Sequence, residues 1–172
     1  MKKLWILLIA SFVIFSSFEI DNRTEKKLKK DIKNVWGIKE YNLLKIRTDS
    51  LPLGDDIFKL VNNDSIYGFV YLGQANSRSE KIDYSVIYDL NASIKKVTVT
   101  KYRENYGGEI GSKRWLKQFI GKSNGQEMRY RKEISAISGA TISVKEMIHA
   151  INKTSTIVYK NKDLFNGFDE AN

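Results

Sequence analysis

The sequence predicts an α+β fold, an antiparallel sheet flanked by helices. Three observations predict it: strand-forming runs follow one another between residues 67 and 102, an amphipathic helical period covers residues 25–37, and a second covers residues 143–151. The 172 residues and 19.8 kDa suit one domain, so residues 19–172 are expected to form a single unit. With 42% apolar and 28% charged residues the chain can build a core, and it has too few apolar residues for several membrane spans. Cysteine is absent and histidine occurs once, which excludes disulfides, iron–sulfur clusters, thiolate zinc sites and thiol nucleophiles. No metal site is expected, and any redox chemistry needs a borrowed cofactor.

The chain opens on Met1-Lys2-Lys3 and an apolar run at residues 4–15, the pattern of a secretory signal. Even extended to Phe18 the run is shorter than the roughly 20 apolar residues of a spanning helix. Ser16-Ser17-Phe18 matches a small-x-small cleavage site poorly. Residues 1–18 are therefore read as a signal peptide or an uncleaved N-terminal anchor. Either way the body is expected to be exported, periplasmic or on the outer face of the cytoplasmic membrane. The lack of cysteine excludes a lipoprotein. Lys and Arg number 29 against 20 Asp and Glu, a net charge of +9, and removing Lys2 and Lys3 leaves +7 for the body. Part of that excess lies in Lys26, Lys27, Lys29, Lys30 and Lys33, on a helix whose apolar stripe is Leu28, Ile32, Val35 and Trp36 and whose stop is Gly37. The run from Lys26 to Lys33 is a solvated polar face or a surface for an anionic membrane. Nucleic acid is not expected as a partner: the basic residues are dispersed and no recognised nucleic-acid motif occurs.

Strands are expected at residues 67–73, 82–88 and 94–102, the last alternating Val97 and Val99 with Lys96, Thr98 and Thr100. Together they suggest an antiparallel meander. A loop with Gly107, Gly108 and Gly111 follows, then a helix over residues 112–121 with Trp115, Leu116, Phe119 and Ile120 on one face. Asn124-Gly125 marks a turn, and Met128, Tyr130, Lys132 and Ile134 alternate like one more strand. In the last helix Val144, Met147, Ile148 and Ile151 share a side; His149, near them in the helix and without a carboxylate or Cys partner at ligand spacing, is expected in a structural role. Ser143-Val144-Lys145-Glu146 has the form of a capping box, which starts that helix near Ser143. Ser138, Gly139, Ala140 and Thr141 then precede a helix N-terminus, where open backbone N–H groups suit a phosphate. An ordinary capped turn explains the same residues.

Ser138-Gly139-Ala140-Thr141, with Ser143 two residues on, resembles the S/T-G-A-T-x-S/T motif of exported FMN-binding domains, among them the flavin subunits of Rnf-type and sodium-pumping NADH:quinone oxidoreductase complexes. The order of strands, glycine loop, aromatic helix and motif is similar to that family's over residues 65–155. The resemblance implies an FMN-binding fold and FMN as cofactor. It implies a phosphoester between FMN and Thr141, made by a flavin transferase that uses FAD as donor. The family usually carries Asp six residues before the threonine, and Ser135 stands there in this chain; the departure bears on covalent attachment more than on phosphate binding. Tyr106, Ile110 and Trp115 are candidates for the apolar surface that holds the isoalloxazine, although Trp115 also suits the core. Glu104 and Glu109 face the ring edge or water. The role implied is an electron carrier that meets membrane or periplasmic redox proteins, with no catalytic side chain needed. A non-covalent FMN-binding reductase and a non-redox exported interaction module are the alternatives.

Overall fold

The computed structural model describes residues 20–123 and 126–167; the expected signal or anchor at 1–18 and the turn at 124–125 lie outside them. The first helix, α1 (Asn22–Trp36), starts earlier than the apolar period because Asp21 caps it, accepting from the N–H groups of Arg23 and Thr24 at 3.0 and 3.3 Å. Gly37 ends it in a left-handed conformation, donating to Lys33 O at 2.9 Å. Five strands follow: β1 (Asn42–Ile46), β2 (Asp56–Asn62), β3 (Ser65–Asn76), β4 (Lys81–Tyr88) and β5 (Ile94–Lys101). They pair antiparallel in chain order, the meander expected from the sequence. β1 and β2 had no counterpart in the sequence reading. β2 is closed onto β3 by Asn63 and Asp64, both at positive φ, the backbone that a two-residue hairpin loop needs.

Period two along the strands splits the sheet into two faces. Phe69, Tyr71, Tyr84, Val86, Tyr88, Val97 and Val99 face a long helix, α3 (Thr141–Asn166), and pack on its Val144, Met147, Ile148, Ile151, Val158 and Phe165. Phe58, Leu60, Val70 and Ile87 face the other way, onto Leu28 and Ile32 of α1. The sheet is thus covered on both sides. Each fully buried side chain of this kind contributes roughly 1.5–3 kcal/mol.

Three expected elements differ from the structure. α3 runs far past residue 151, and its apolar period is interrupted there because the inward face turns polar: Thr154 and Ser155 are buried 3.0 and 3.2 Å from the Tyr88 hydroxyl, before Val158 and Phe165 resume the apolar contact. The helix expected over 112–121 is one α-turn, α2 (Lys113–Leu116), that tightens into a 3-10 turn at Lys117–Phe119. Ile120 then adopts extended backbone and is exposed, off the face it was expected to share with Phe119. The alternation at 128–134 is a turn, not a strand. Glu133 accepts from the backbone and guanidinium of Arg129 at 2.6–3.1 Å, Arg131 takes φ 61°, and only Tyr130 and Ile134 form a bridge. No helix of the described residues is long and apolar enough to cross a membrane.

Candidate functional site

The segment before α3 folds as a turn. Ala140 N donates to Ile137 O at 3.2 Å, and Gly139 sits at φ 73°, where a side chain would be strained. Ala140 is the N-cap residue and no side chain caps the helix. Thr141 is therefore the first residue of α3, two positions earlier than expected, and it is exposed. The capping box from Ser143 to Glu146 does not form. Ser143 lies inside the helix, buried, with its hydroxyl 2.7 Å from that of Ser77 in the β3–β4 connection.

This contact has a direction. Ser77 donates to Glu104 at 2.7 Å, so its single proton is taken and Ser143 must donate to Ser77. Glu104 also accepts from the N–H groups of Ser79 and Glu80, at 2.8 and 3.1 Å. These backbone bonds, that of Ser79 first, hold its carboxyl below the usual glutamate range. Glu104 thus anchors the 77–80 turn, a third outcome beside the two the sequence suggested. At the loop's start Arg103 forks onto Asp83 of β4 at 2.6 and 3.1 Å.

The glycine loop reaches the turn at one point. A Cβ built on Gly107 would lie 2.3 Å from the Cβ of Ala140, so only glycine lets the loop approach this closely, and its φ of 77° is also glycine's. Tyr102 donates to Tyr106 O at 2.6 Å and holds the loop in place. Beside the turn lies a cleft of about 540 Å³ whose walls include Glu109, Arg114, Trp115, Gln118, Ser135 and Ser138. Ser135 fixes one wall through its backbone: its carbonyl accepts from Trp115 Nε1 and its N–H donates to Gln118 Oε1, both at 2.9 Å. The side chain at 135 is left exposed. A larger cleft of about 840 Å³ between α1 and the β1–β2 end contains no residue of the motif; the smaller one shares a wall with it.

The three ring-holding candidates separate. Trp115 lines the cleft but is 5% exposed and packs edge-to-face on Phe119, at 5.2 Å between centroids. Ile110 is fully enclosed in the core, and Tyr106 is 79% exposed. Ser138, Gly139, Ala140 and Thr141 stay together at the start of α3, while Ser143 points into the protein. His149 is exposed on α3.

Tyr130 was not foreseen, because the turn that presents it mimics strand alternation. Thr141 first, then Arg131 and Lys145, favour its phenolate and hold its pKa below the usual tyrosine range. The Arg131 guanidinium carbon and the Lys145 ammonium lie 5.3 and 5.5 Å from the Tyr130 ring centroid. Among the described residues no group of acidic or histidine side chains could hold a metal ion.

The antiparallel sheet covered by helices on both faces, with an uncapped helix start at Thr141, defines an α+β domain. Residues 78–156, just under half of the chain, match the family model of the FMN-binding domain, the family whose motif the sequence resembles. The crystal structure of Shewanella oneidensis NqrC superposes with a TM-score of 0.53 at 16% identity, over 85% of this chain and 78% of that one. At that identity the likeness establishes the shared fold. No curated protein matches the chain.

Proposed function

We propose that the chain is an exported FMN-binding electron carrier, one domain over residues 19–172, with the flavin phosphate esterified to Thr141. The observation that carries this is the uncapped N-terminus of α3, which presents Thr141 to solvent three residues after Ser138, a wall residue of the cleft. The residues present fit the group. Open N–H groups and the positive end of the helix suit a phosphate, and Gly139 and Ala140 leave the backbone approachable. The cleft beside Ser138, with the edge of Trp115 in its wall, suits a flat, mostly apolar ring. The flavin would supply the electron chemistry. The chain's own work is to attach it, orient it and keep it from being lost, since a tether makes rebinding intramolecular.

The family match at residues 78–156 supports FMN as the cofactor. Maturation would use a flavin transferase, and the electron partners would be membrane or periplasmic redox proteins. The exposed lysines of α1 lie close after the apolar segment at 4–18 and would face an anionic bilayer surface. Ser135 favours a second reading, tight non-covalent binding of FMN, because the carboxylate usual at that position is missing.

Protein made in cells that contain a flavin transferase should keep a fluorescent flavin through denaturing electrophoresis, and Thr141→Ala should abolish it. Fluorescence lost on denaturation but present in the native protein would select the non-covalent reading. A colourless native protein would overturn both. Ser135→Asp should raise occupancy, since position 135 is exposed and has room for the carboxylate.

A further inference from the structure

Two cations from different segments meet on one aromatic ring beside the start of α3. Tyr130 stands in the turn that Arg129 and Glu133 close, and Arg131, in left-handed backbone, carries its guanidinium carbon to 5.3 Å from the Tyr130 ring centroid. Lys145 reaches the same ring from α3, with its ammonium 5.5 Å from the centroid. Lys145 follows Thr141 by four residues, so the two share one side of the helix. Side chains on a helix lean toward the turn before them, which here is the turn that begins with Thr141. Arg131 and Lys145 are both exposed, and a ligand can reach them. Among the described residues neither takes part in an ion pair, whereas Arg129 is held by Glu133 and Arg103 by Asp83. The face of the phenol attracts both cations but carries no net charge, so two positive charges are left to repel each other. An anion between them would relieve that repulsion.

We propose that Arg131 and Lys145 bind the phosphate of FMN at Thr141, with Tyr130 holding the two cations side by side. This rests on the flavin site at Thr141 proposed above, and it adds a source of selectivity to that site. The open N–H groups of the helix start can serve any acceptor oxygen. The two cations supply net charge, which favours a phosphate monoester of about −1.5 to −2 over a neutral group. Arg131 can fork onto two phosphate oxygens, and Lys145 acts as a point charge. The pair thus selects FMN over riboflavin, the same ring system ending in a hydroxyl.

The test uses the full apo-protein made without a flavin transferase, so that flavin binds only reversibly, and titrates it with FMN and with riboflavin by flavin fluorescence. The wild type should bind FMN more tightly, and the difference should shrink as salt is raised. Lys145→Gln and Arg131→Gln should each raise the Kd for FMN roughly 3- to 10-fold, between the worth of an exposed ion pair and that of a buried charged hydrogen bond. The Kd for riboflavin and the melting temperature should stay unchanged. Lys145→Arg keeps the charge and should keep the affinity. Lys160→Gln removes an exposed charge about 28 Å further along α3 and should affect neither ligand. An FMN preference that survives both variants overturns the inference and leaves the phosphate to the helix start alone. Equal losses for FMN and riboflavin overturn it as well, as does an equal effect of Lys160→Gln, which would reduce the pair to net charge. A wild type that binds the two flavins alike overturns the phosphate site while the flavin reading stands. Binding of neither flavin overturns that reading and this inference with it. Should Arg131→Gln not fold, Lys145→Gln on the exposed side of α3 decides.

Discussion

Gly107 is the residue on which the loop and the motif meet. A methyl group there would sit 2.3 Å from another Cβ, that of Ala140, and neither backbone is free to retreat: one side is the loop held by Tyr102, the other the first turn of α3. Gly107→Ala adds this clash to the strain of a positive φ, and the overpacking alone costs about 1–3 kcal/mol. Urea unfolding should show that loss, and flavin occupancy should drop with it; an unchanged midpoint would mean the loop does not rest on the turn. Glu104 acts on the same loop through charge. Its folded-state pKa is depressed, so the stability it adds is present above the ordinary glutamate range and is lost as pH falls through the lowered value. Glu104→Gln should therefore make stability less dependent on pH across the acid range, with little change at alkaline pH beyond a constant offset. Acid titrations followed by circular dichroism check this, and parallel curves for the two proteins would contradict it.

At the scale of elements, α3 does two jobs with opposite demands: its first residue stays open to solvent while its inner face closes the core. Ser143 belongs to the second job. Its hydroxyl is donated to Ser77, so Ser143→Ala should cost about 1 kcal/mol of stability, the worth of one hydrogen bond, and leave FMN affinity unchanged. A large fall in affinity with stability intact would place Ser143 on the phosphate instead. The motif string alone contains no such distinction, since Ser138, Thr141 and Ser143 are all small hydroxyl residues near one helix start. Burial separates them, and burial depends on β3 and β4, far away in sequence. β3, β4 and β5 were legible because Val97, Val99, Val86 and Phe69 repeat with period two in strand-forming company. β1 was not legible, because Leu43 and Leu44 are neighbours and the strand is half-exposed, and the polar inner face of α3 at Thr154 and Ser155 hid its second half. Tyr130 was invisible for a similar reason: Arg129 and Glu133 close a turn by a side-chain fork that no periodicity records.

For the whole molecule, the two faces of the sheet carry different tasks, the motif on the α3 side and the lysine-rich helix on the other. The five lysines of the 26–33 run do not act alike. Lys27 turns inward and donates to Val99 O and Thr100 O of the edge strand β5, at 2.9 and 2.8 Å, which occupies carbonyls that another chain could pair with. Lys26, Lys29, Lys30 and Lys33 are exposed, and their spacing of three and four keeps them on one stripe, away from Leu28 and Ile32. A phosphate site at a helix N-terminus needs no lysine surplus, so the flavin leaves this stripe unexplained, and an anionic bilayer beside the segment at 4–18 would explain it. Near such a surface each lysine contributes about 1 kcal/mol. The full chain should therefore prefer vesicles containing phosphatidylserine over purely zwitterionic ones, and the preference should weaken steeply as salt is raised. Replacing Lys26, Lys29, Lys30 and Lys33 together by Gln should remove the preference without lowering the melting temperature, because none of the four is buried. Co-sedimentation measures both effects, and equal partitioning of the wild type into the two kinds of vesicle at low salt would leave the stripe as a solvated helix face.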